Sequence, residues 1–162
     1  MRQRWPAATV QSMPDGLTPD QAAFWAAFLA SPAAPPDAEA RFHSVFGIGS
    51  GSDAGAALIL SGIKTATSSL PAEFQGIDPP IPGSLSLLAG AAGRPMGIIE
   101  TLSITTLPLN QMDDAFRVAY AEWPDQASFV EGMIEWYQGV DPDFTAETPL
   151  LAERFRVIWQ KP

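Results

Sequence analysis

The sequence contains no cysteine and a single histidine, His43. The absence of cysteine excludes disulfide bonds, thiolate nucleophiles and metal sites held by cysteine. One histidine leaves no second imidazole for a histidine-rich metal site, and we expect no metal and no cofactor. The side chains that remain for chemistry are those of lysine, serine, threonine and the carboxylic acids.

Basic residues are also scarce. The chain has 9 lysines and arginines against 18 aspartates and glutamates, a net charge of −9 and a pI near 4.3. Such a surface repels nucleic-acid phosphates and anionic lipids, so we expect neither long-duplex DNA nor a membrane as partner. A small nucleoside or a short RNA held in one local pocket remains open. No apolar run has the length of a signal peptide or a membrane span, so we expect a cytoplasmic protein.

The 162 residues, of which 46% are hydrophobic and 17% charged, predict one globular domain with a hydrophobic core. Residues 1–17 predict a loose N-terminal arm, and residues 18–162 the single domain. Helix signals predict helices over 19–30, 53–61 and 128–137, and a further helical stretch near 112–120.

Short β-type segments at 66–70, 84–88, 96–107 and 151–159 are separated by turn signals. The order of helices, strands, helices and a closing strand predicts an α+β fold. We expect a small, strongly curved sheet or barrel with helices packed on it. The strands are too few and too interrupted for a doubly wound sheet.

The segment over residues 61–70 is the most informative for chemistry. Lys64 follows a predicted helix end, and Thr67 comes three residues later. A lysine that burial makes neutral accepts a hydroxyl proton, whereas a protonated one stabilises an oxyanion. The alternative is a solvated lysine before a polar edge strand. We expect Lys64 to be buried with a lowered pKa, and Gly62, Ser68 and Ser69 to contribute to substrate binding.

These residues resemble the ASCH-domain family, a relative of the PUA-like barrels. Its hallmark is Gly-x-Lys-x-x-Thr after a helix, which residues 62–67 match. The resemblance extends over roughly residues 20–160 and implies a PUA-like small β-barrel with surrounding helices and a cleft beside this segment. The other matching segments, in family order, are residues 24–28, 46–47, 82–83, 93–100, 120–122 and 153–157.

The resemblance also implies activities. Some ASCH proteins are amidohydrolases that remove the acyl group of N(4)-acetylcytidine with a threonine nucleophile, a lysine base and a glutamate. Lys64 and Thr67 carry over directly. The family's Ala-Glu-x-Glu run has Pro124 in place of its second glutamate here, so either Glu122 or Asp125 is expected to substitute. Other family members are described as ribonucleases.

Two further residues are candidates for the site. Glu100 either points toward Lys64 and holds it by charge or lies on the solvent face of its strand, and Trp123 is expected to face a base. His43 is expected in a loop. Arg154 and Arg156 are expected on a solvated strand face.

Three functions follow. The first is an amidohydrolase of an N(4)-acylated cytidine, and the alternative is a non-catalytic module that binds RNA or a modified base. A ribonuclease is third, because few basic residues are available to neutralise phosphates.

Overall fold

The computed structural model describes residues 11–12, 16–48, 52–74 and 76–162 of the chain. In these ranges, four α-helices and six β-strands form an α+β fold. The helices are α1 (Pro19–Leu29), α2 (Asp53–Leu60), α3 (Asp114–Tyr120) and α4 (Gln126–Gln138). The strands are β1 (Gln11–Ser12), β2 (Phe42–Gly47), β3 (Ala66–Ser69), β4 (Leu85–Ala89), β5 (Pro95–Pro108) and β6 (Pro149–Trp159).

The strands form one mixed sheet in the order β1-β2-β4-β5-β6-β3. The β2–β4 pair is parallel and the other pairs are antiparallel. The predicted α+β fold class is therefore confirmed. Within the described part of the chain, the edge strands β1 and β3 do not pair with each other, so the sheet does not close into a barrel.

The structure contains the predicted helices, and a capping side chain at the start of each one accepts a backbone N–H of its first turn. Thr18 and Gln21 cap α1 reciprocally, with the backbone N–H of each donating to the side-chain oxygen of the other. The last helix begins two residues before the predicted start, because the carboxylate of Asp125 accepts from the backbone N–H of Ser128. The four predicted strands lie within about two residues of β3 to β6.

The sequence analysis missed β2, and the expectation that His43 lies in a loop is wrong. His43 is the second residue of β2, and its Nε2 lies 2.9 Å from the carbonyl oxygen of Asp78. The strand has two polar residues in succession, His43 and Ser44, and thus lacks a clear apolar alternation. Within the predicted N-terminal arm, β1 pairs with Ser44 and Val45. Positions 1–10 and 13–15 of the arm lie outside the described residues.

Helices on both sides of the sheet build the core. Phe24, Trp25 and Phe28 of α1 pack with strands β2, β4 and β5. Ile59 of α2 packs on the other face of the sheet, against Leu88, Ile99 and Phe155. At the β6–β3 end of the sheet, α3 and α4 pack over β3 and β6 through a cluster that includes Phe116, Tyr120, Phe129, Met133 and Tyr137. The cluster of α3 and α4 with β3 and β6 places the end of α3 beside the start of β3. There the backbone N–H of Thr65 donates to the carbonyl of Ala119 at 2.8 Å.

No helix in the described ranges combines the length and the apolar character that a membrane crossing requires.

Candidate active site

Lys64 lies in the short connection between α2 and β3. The helix ends at Leu60, and Gly62 adopts a φ of +75°, a left-handed conformation that favours glycine. The backbone N–H of Lys64 then donates to the carbonyl of Leu58 at 3.0 Å. This turn holds the lysine backbone at the end of α2 and leaves its side chain to reach the end of α3.

The Lys64 amine makes three contacts there. Nζ lies 2.9 Å from Oε1 of Glu122, donates to the carbonyl oxygen of Tyr120 at 2.8 Å, and lies 3.6 Å from the centroid of the Tyr120 ring. The lysine side chain is fully buried. Burial lowers the pKa of Lys64, and the Glu122 carboxylate opposes that shift. The predicted burial and lowered pKa are therefore confirmed.

The loop after α3 brings Glu122 to this amine. Ala121 ends the helix in the left-handed region, with a φ of +63°, and the Arg117 guanidinium holds the loop by donating to the carbonyl of Trp123 at 2.7 Å. Asp125, the other residue expected to substitute for the displaced glutamate, caps α4. The structure thus pairs Lys64 with Glu122, whose side chain is 37% exposed and opens the pair to solvent.

Thr67 lies in β3 and is 6% exposed. In the described part of the chain no hydrogen bond joins its hydroxyl to Lys64 Nζ. The phenol of Tyr120 lies close enough to Thr67 and Ser68 that their hydroxyls lower its pKa. Burial, and then the charge of Glu122, outweigh them and raise it far above the usual range.

The remaining residues of the Lys64 segment have separate roles. Ser68 lies 2.8 Å from the phenol oxygen of Tyr137 through its Oγ, a contact inside the core under α4. Gly62 supplies the turn described above, and Ser69 ends β3 with a partly exposed side chain.

The sequence left two alternatives for Glu100, and the structure excludes the one in which it holds Lys64 by charge. The Glu100 carboxylate instead pairs with the guanidinium groups of Arg41 and, at 2.7 Å, Arg156. Burial by itself would raise the pKa of Glu100, but the hydrogen bonds from both arginines keep it below its usual value. Arg156 is exposed, as expected, and Arg154 lies with its guanidinium 5.4 Å from the centre of the Phe116 ring.

The expectation that Trp123 faces a base is also not met by its packing. Its side chain is partly buried against the α3–α4 core, and its six-membered ring occupies the space beside Gly132 of α4. The indole Nε1 is buried without a hydrogen-bond partner in the described structure. Trp123 therefore anchors the loop that carries Glu122.

A substitution tests this anchor. Gly132→Ala is expected to lower the free energy of unfolding by about 1 kcal/mol or more, because the new Cβ collides with the Trp123 ring. The overpacking cost of roughly 1–3 kcal/mol exceeds the gain of about 1 kcal/mol in helix propensity. Urea denaturation measures the change. The double variant Gly132→Ala/Trp123→Leu is expected to recover stability, and a stabilised Gly132→Ala single variant would contradict the packing.

A depression of about 360 Å³ lies where the end of α2 meets β6, lined in part by Gly62, Lys64, Thr65 and Arg156. Neither Thr67 nor Glu122 lines it. The depression therefore touches the lysine segment without including Thr67 or Glu122.

The sequence analysis did not single out Glu153 as a site residue. Glu153 is 8% exposed, and its carboxylate accepts from Oγ1 of Thr101 at 2.7 Å. Burial raises the pKa of Glu153 to about 7. The only signal in the sequence is a charged residue inside an otherwise half-apolar strand, a pattern that solvent-facing positions also produce.

Comparison with known proteins places this site in a family. The ASCH domain family model matches residues 43–159. An ASCH domain from Lactobacillus crispatus superposes with a TM-score of 0.72 at 22% identity, covering 90% of this chain and 98% of that one. A protein from Enterococcus faecalis superposes with a TM-score of 0.58 at 24% identity, covering 68% and 76%. At these identities the structural likeness concerns the fold alone.

No curated protein matches the chain. The family model covers most of the described domain, including the segment with Lys64 and Thr67 and the loop with Glu122. The chain therefore belongs to the ASCH domain family.

Proposed function

We propose that this protein is an amidohydrolase that removes the acyl group from an N(4)-acylated cytidine. The observation that carries the proposal is the buried Lys64 amine, held 2.9 Å from the Glu122 carboxylate and three residues from Thr67. The substrate class comes from the resemblance to the ASCH amidohydrolases. The net charge of −9 favours an uncharged nucleoside over a polyanion.

In this proposal Thr67 attacks the acyl carbon. The contacts of Lys64 with a carboxylate, a carbonyl oxygen and an aromatic face all stabilise an ammonium group. An ammonium group has three protons, of which two face the oxygen atoms of Glu122 and Tyr120. In this proposal the third turns from the Tyr120 ring to the oxyanion that forms on the acyl oxygen. Glu122 then substitutes for the carboxylate that Pro124 displaces, by holding Lys64 in position.

A non-catalytic module that binds a modified base or a short RNA is the second candidate. The observation that favours it is the missing hydrogen bond between Lys64 and Thr67 in the described structure. A lysine and a threonine that are not joined by a hydrogen bond could each contact a bound ligand without cleaving it.

A panel of nucleosides separates the two candidates. The protein is incubated with N(4)-acetylcytidine, other N(4)-acylated cytidines and methylated nucleosides, and the products are followed by chromatography. Release of cytidine and the free acid is the expected result. Calorimetric binding of a nucleoside without release of acid would establish the binding module and contradict the hydrolase.

A further inference from the structure

In the proposed reaction the Thr67 hydroxyl loses a proton. At the end of α3 the Lys64 ammonium and the Tyr120 phenol are poor acceptors, and the Glu122 carboxylate is paired with Lys64. Lys64 donates to Glu122 and to the Tyr120 carbonyl and makes no hydrogen bond with Thr67 in the described part of the chain. The raised pKa of the buried Tyr120 phenol keeps that group protonated at neutral pH. The sheet offers a further carboxyl group that is not paired with a cation in the described part of the chain.

The register of the sheet places a carboxyl group beside the nucleophile. Glu153 on β6 lies directly opposite Thr67 on β3 in an antiparallel pair. Opposite residues in such a pair project from the same face, with Cβ atoms about 4.5–5.5 Å apart. The Glu153 side chain therefore starts next to that of Thr67.

The surroundings of Glu153 contain no compensating cation in the described ranges. From β5 it receives one hydrogen bond, from the Thr101 hydroxyl, and Thr67 on β3 is uncharged. The helix packed against β6, α2, carries one charged residue, Asp53, which pairs with Arg94 at 2.9 Å. Burying a carboxyl group without a cation destabilises a fold. The pKa of the Glu153 carboxyl group is raised to about 7, which suits proton transfer at neutral pH.

We propose that Glu153 accepts the proton of Thr67 during acyl transfer, an inference that rests on the proposed function. As the Thr67 Oγ–carbon bond forms, the carbonyl electron pair moves to the acyl oxygen and the hydroxyl proton moves to Glu153. When the carbon–nitrogen bond breaks, that proton passes to the leaving nitrogen of cytidine. Water then attacks the acyl-threonine with Glu153 again as base, releasing the carboxylic acid and restoring Thr67.

An acyl donor that needs no nucleoside recognition tests this role. Wild type, Glu153→Gln and Thr67→Ala are incubated with p-nitrophenyl acetate, and the rate of acetylation at Thr67 is measured by peptide mass spectrometry. We expect acetylated Thr67 in the wild type and a rate at least about 100-fold lower in Glu153→Gln. Thermal unfolding shows that the variant is folded.

A second variant keeps the carboxyl group and changes only its pKa. In the wild type the acetylation rate is expected to rise with pH through a midpoint near 7, because Glu153 must be ionised to accept a proton. The hydrogen bond from Thr101 lowers the pKa of Glu153, so Thr101→Val is expected to move the midpoint upward by up to about one pH unit. A purely structural role for Glu153 leaves the midpoint unchanged.

Equal acetylation of Thr67 in wild type and Glu153→Gln, an unmoved midpoint in Thr101→Val, or no acetylation of wild-type Thr67 would each overturn the inference. Failure of the proposed function has a different signature. If none of the acylated nucleosides is cleaved while Thr67 is acetylated in a Glu153-dependent way, the substrate class is wrong and the role of Glu153 stands.

Discussion

Thr67→Ala and Lys64→Met are each expected to reduce the turnover of N(4)-acetylcytidine roughly a thousandfold or more. Thr67→Ala removes the attacking oxygen, and Lys64→Met removes the charge that stabilises the oxyanion while keeping most of the buried volume. Because both residues serve one step, the double variant is expected to be no slower than the slower single variant. Steady-state rates from chromatographic product analysis measure the effects.

The chain offers a matched control for the lysine. Lys161 is its only other lysine and is exposed, so Lys161→Met is expected to leave turnover unchanged. Thr67→Ser keeps the hydroxyl and is expected to retain part of the activity. Full turnover in Lys64→Met, or losses that multiply in the double variant, would show that the two residues do not act together.

Glu122→Gln is expected to lower turnover about 100-fold and the free energy of unfolding by roughly 1–2 kcal/mol at neutral pH. The turnover falls because Lys64 loses the partner that holds its charge in place. The stability cost lies between those of exposed and buried ion pairs, since Glu122 is 37% exposed and water screens it.

The stability loss has a predicted pH dependence. Burial lowers the pKa of Lys64 from its usual 10.5, so the unfolded chain binds the proton more tightly and this lysine destabilises the fold while it is protonated. Glu122 raises the pKa of Lys64, and its removal deepens that penalty. The deficit of Glu122→Gln is therefore expected to be largest at neutral pH, to shrink as the pH approaches 10.5 and to vanish above it, where the lysine is neutral in both states.

Denaturant unfolding at several pH values measures this dependence. Glu131→Gln, at an exposed position on α4, is the matched control and is expected to change neither turnover nor stability. A deficit in Glu122→Gln that is constant with pH would contradict the electrostatic origin of the loss.

Local patterns in the sequence determined most of the secondary structure. The capping box of Thr18 and Gln21 predicts the start of α1, and the glycine at position 62 predicts the end of α2 just before Lys64. These signals act over a few residues, so they are readable without the fold. The burial of Lys64 followed from the same local argument, since the chain turns from a helix end directly into a strand.

The tertiary structure decided which charged groups meet. Glu100 and Glu122 were both candidate partners for Lys64, and the left-handed turn at Ala121 brings Glu122 to the amine, while Arg41 and Arg156 engage Glu100. The burial of Glu153 and its position opposite Thr67 depend on the register between β3 and β6, which lie far apart in the chain. The sequence by itself determined the helices, four of the strands and the segment that carries Lys64 and Thr67, because these depend on neighbouring residues. Which of the candidate carboxylates contacts Lys64, and that Glu153 lies opposite Thr67, was decided only by the fold, because contacts between distant strands and loops leave no periodic pattern in the chain.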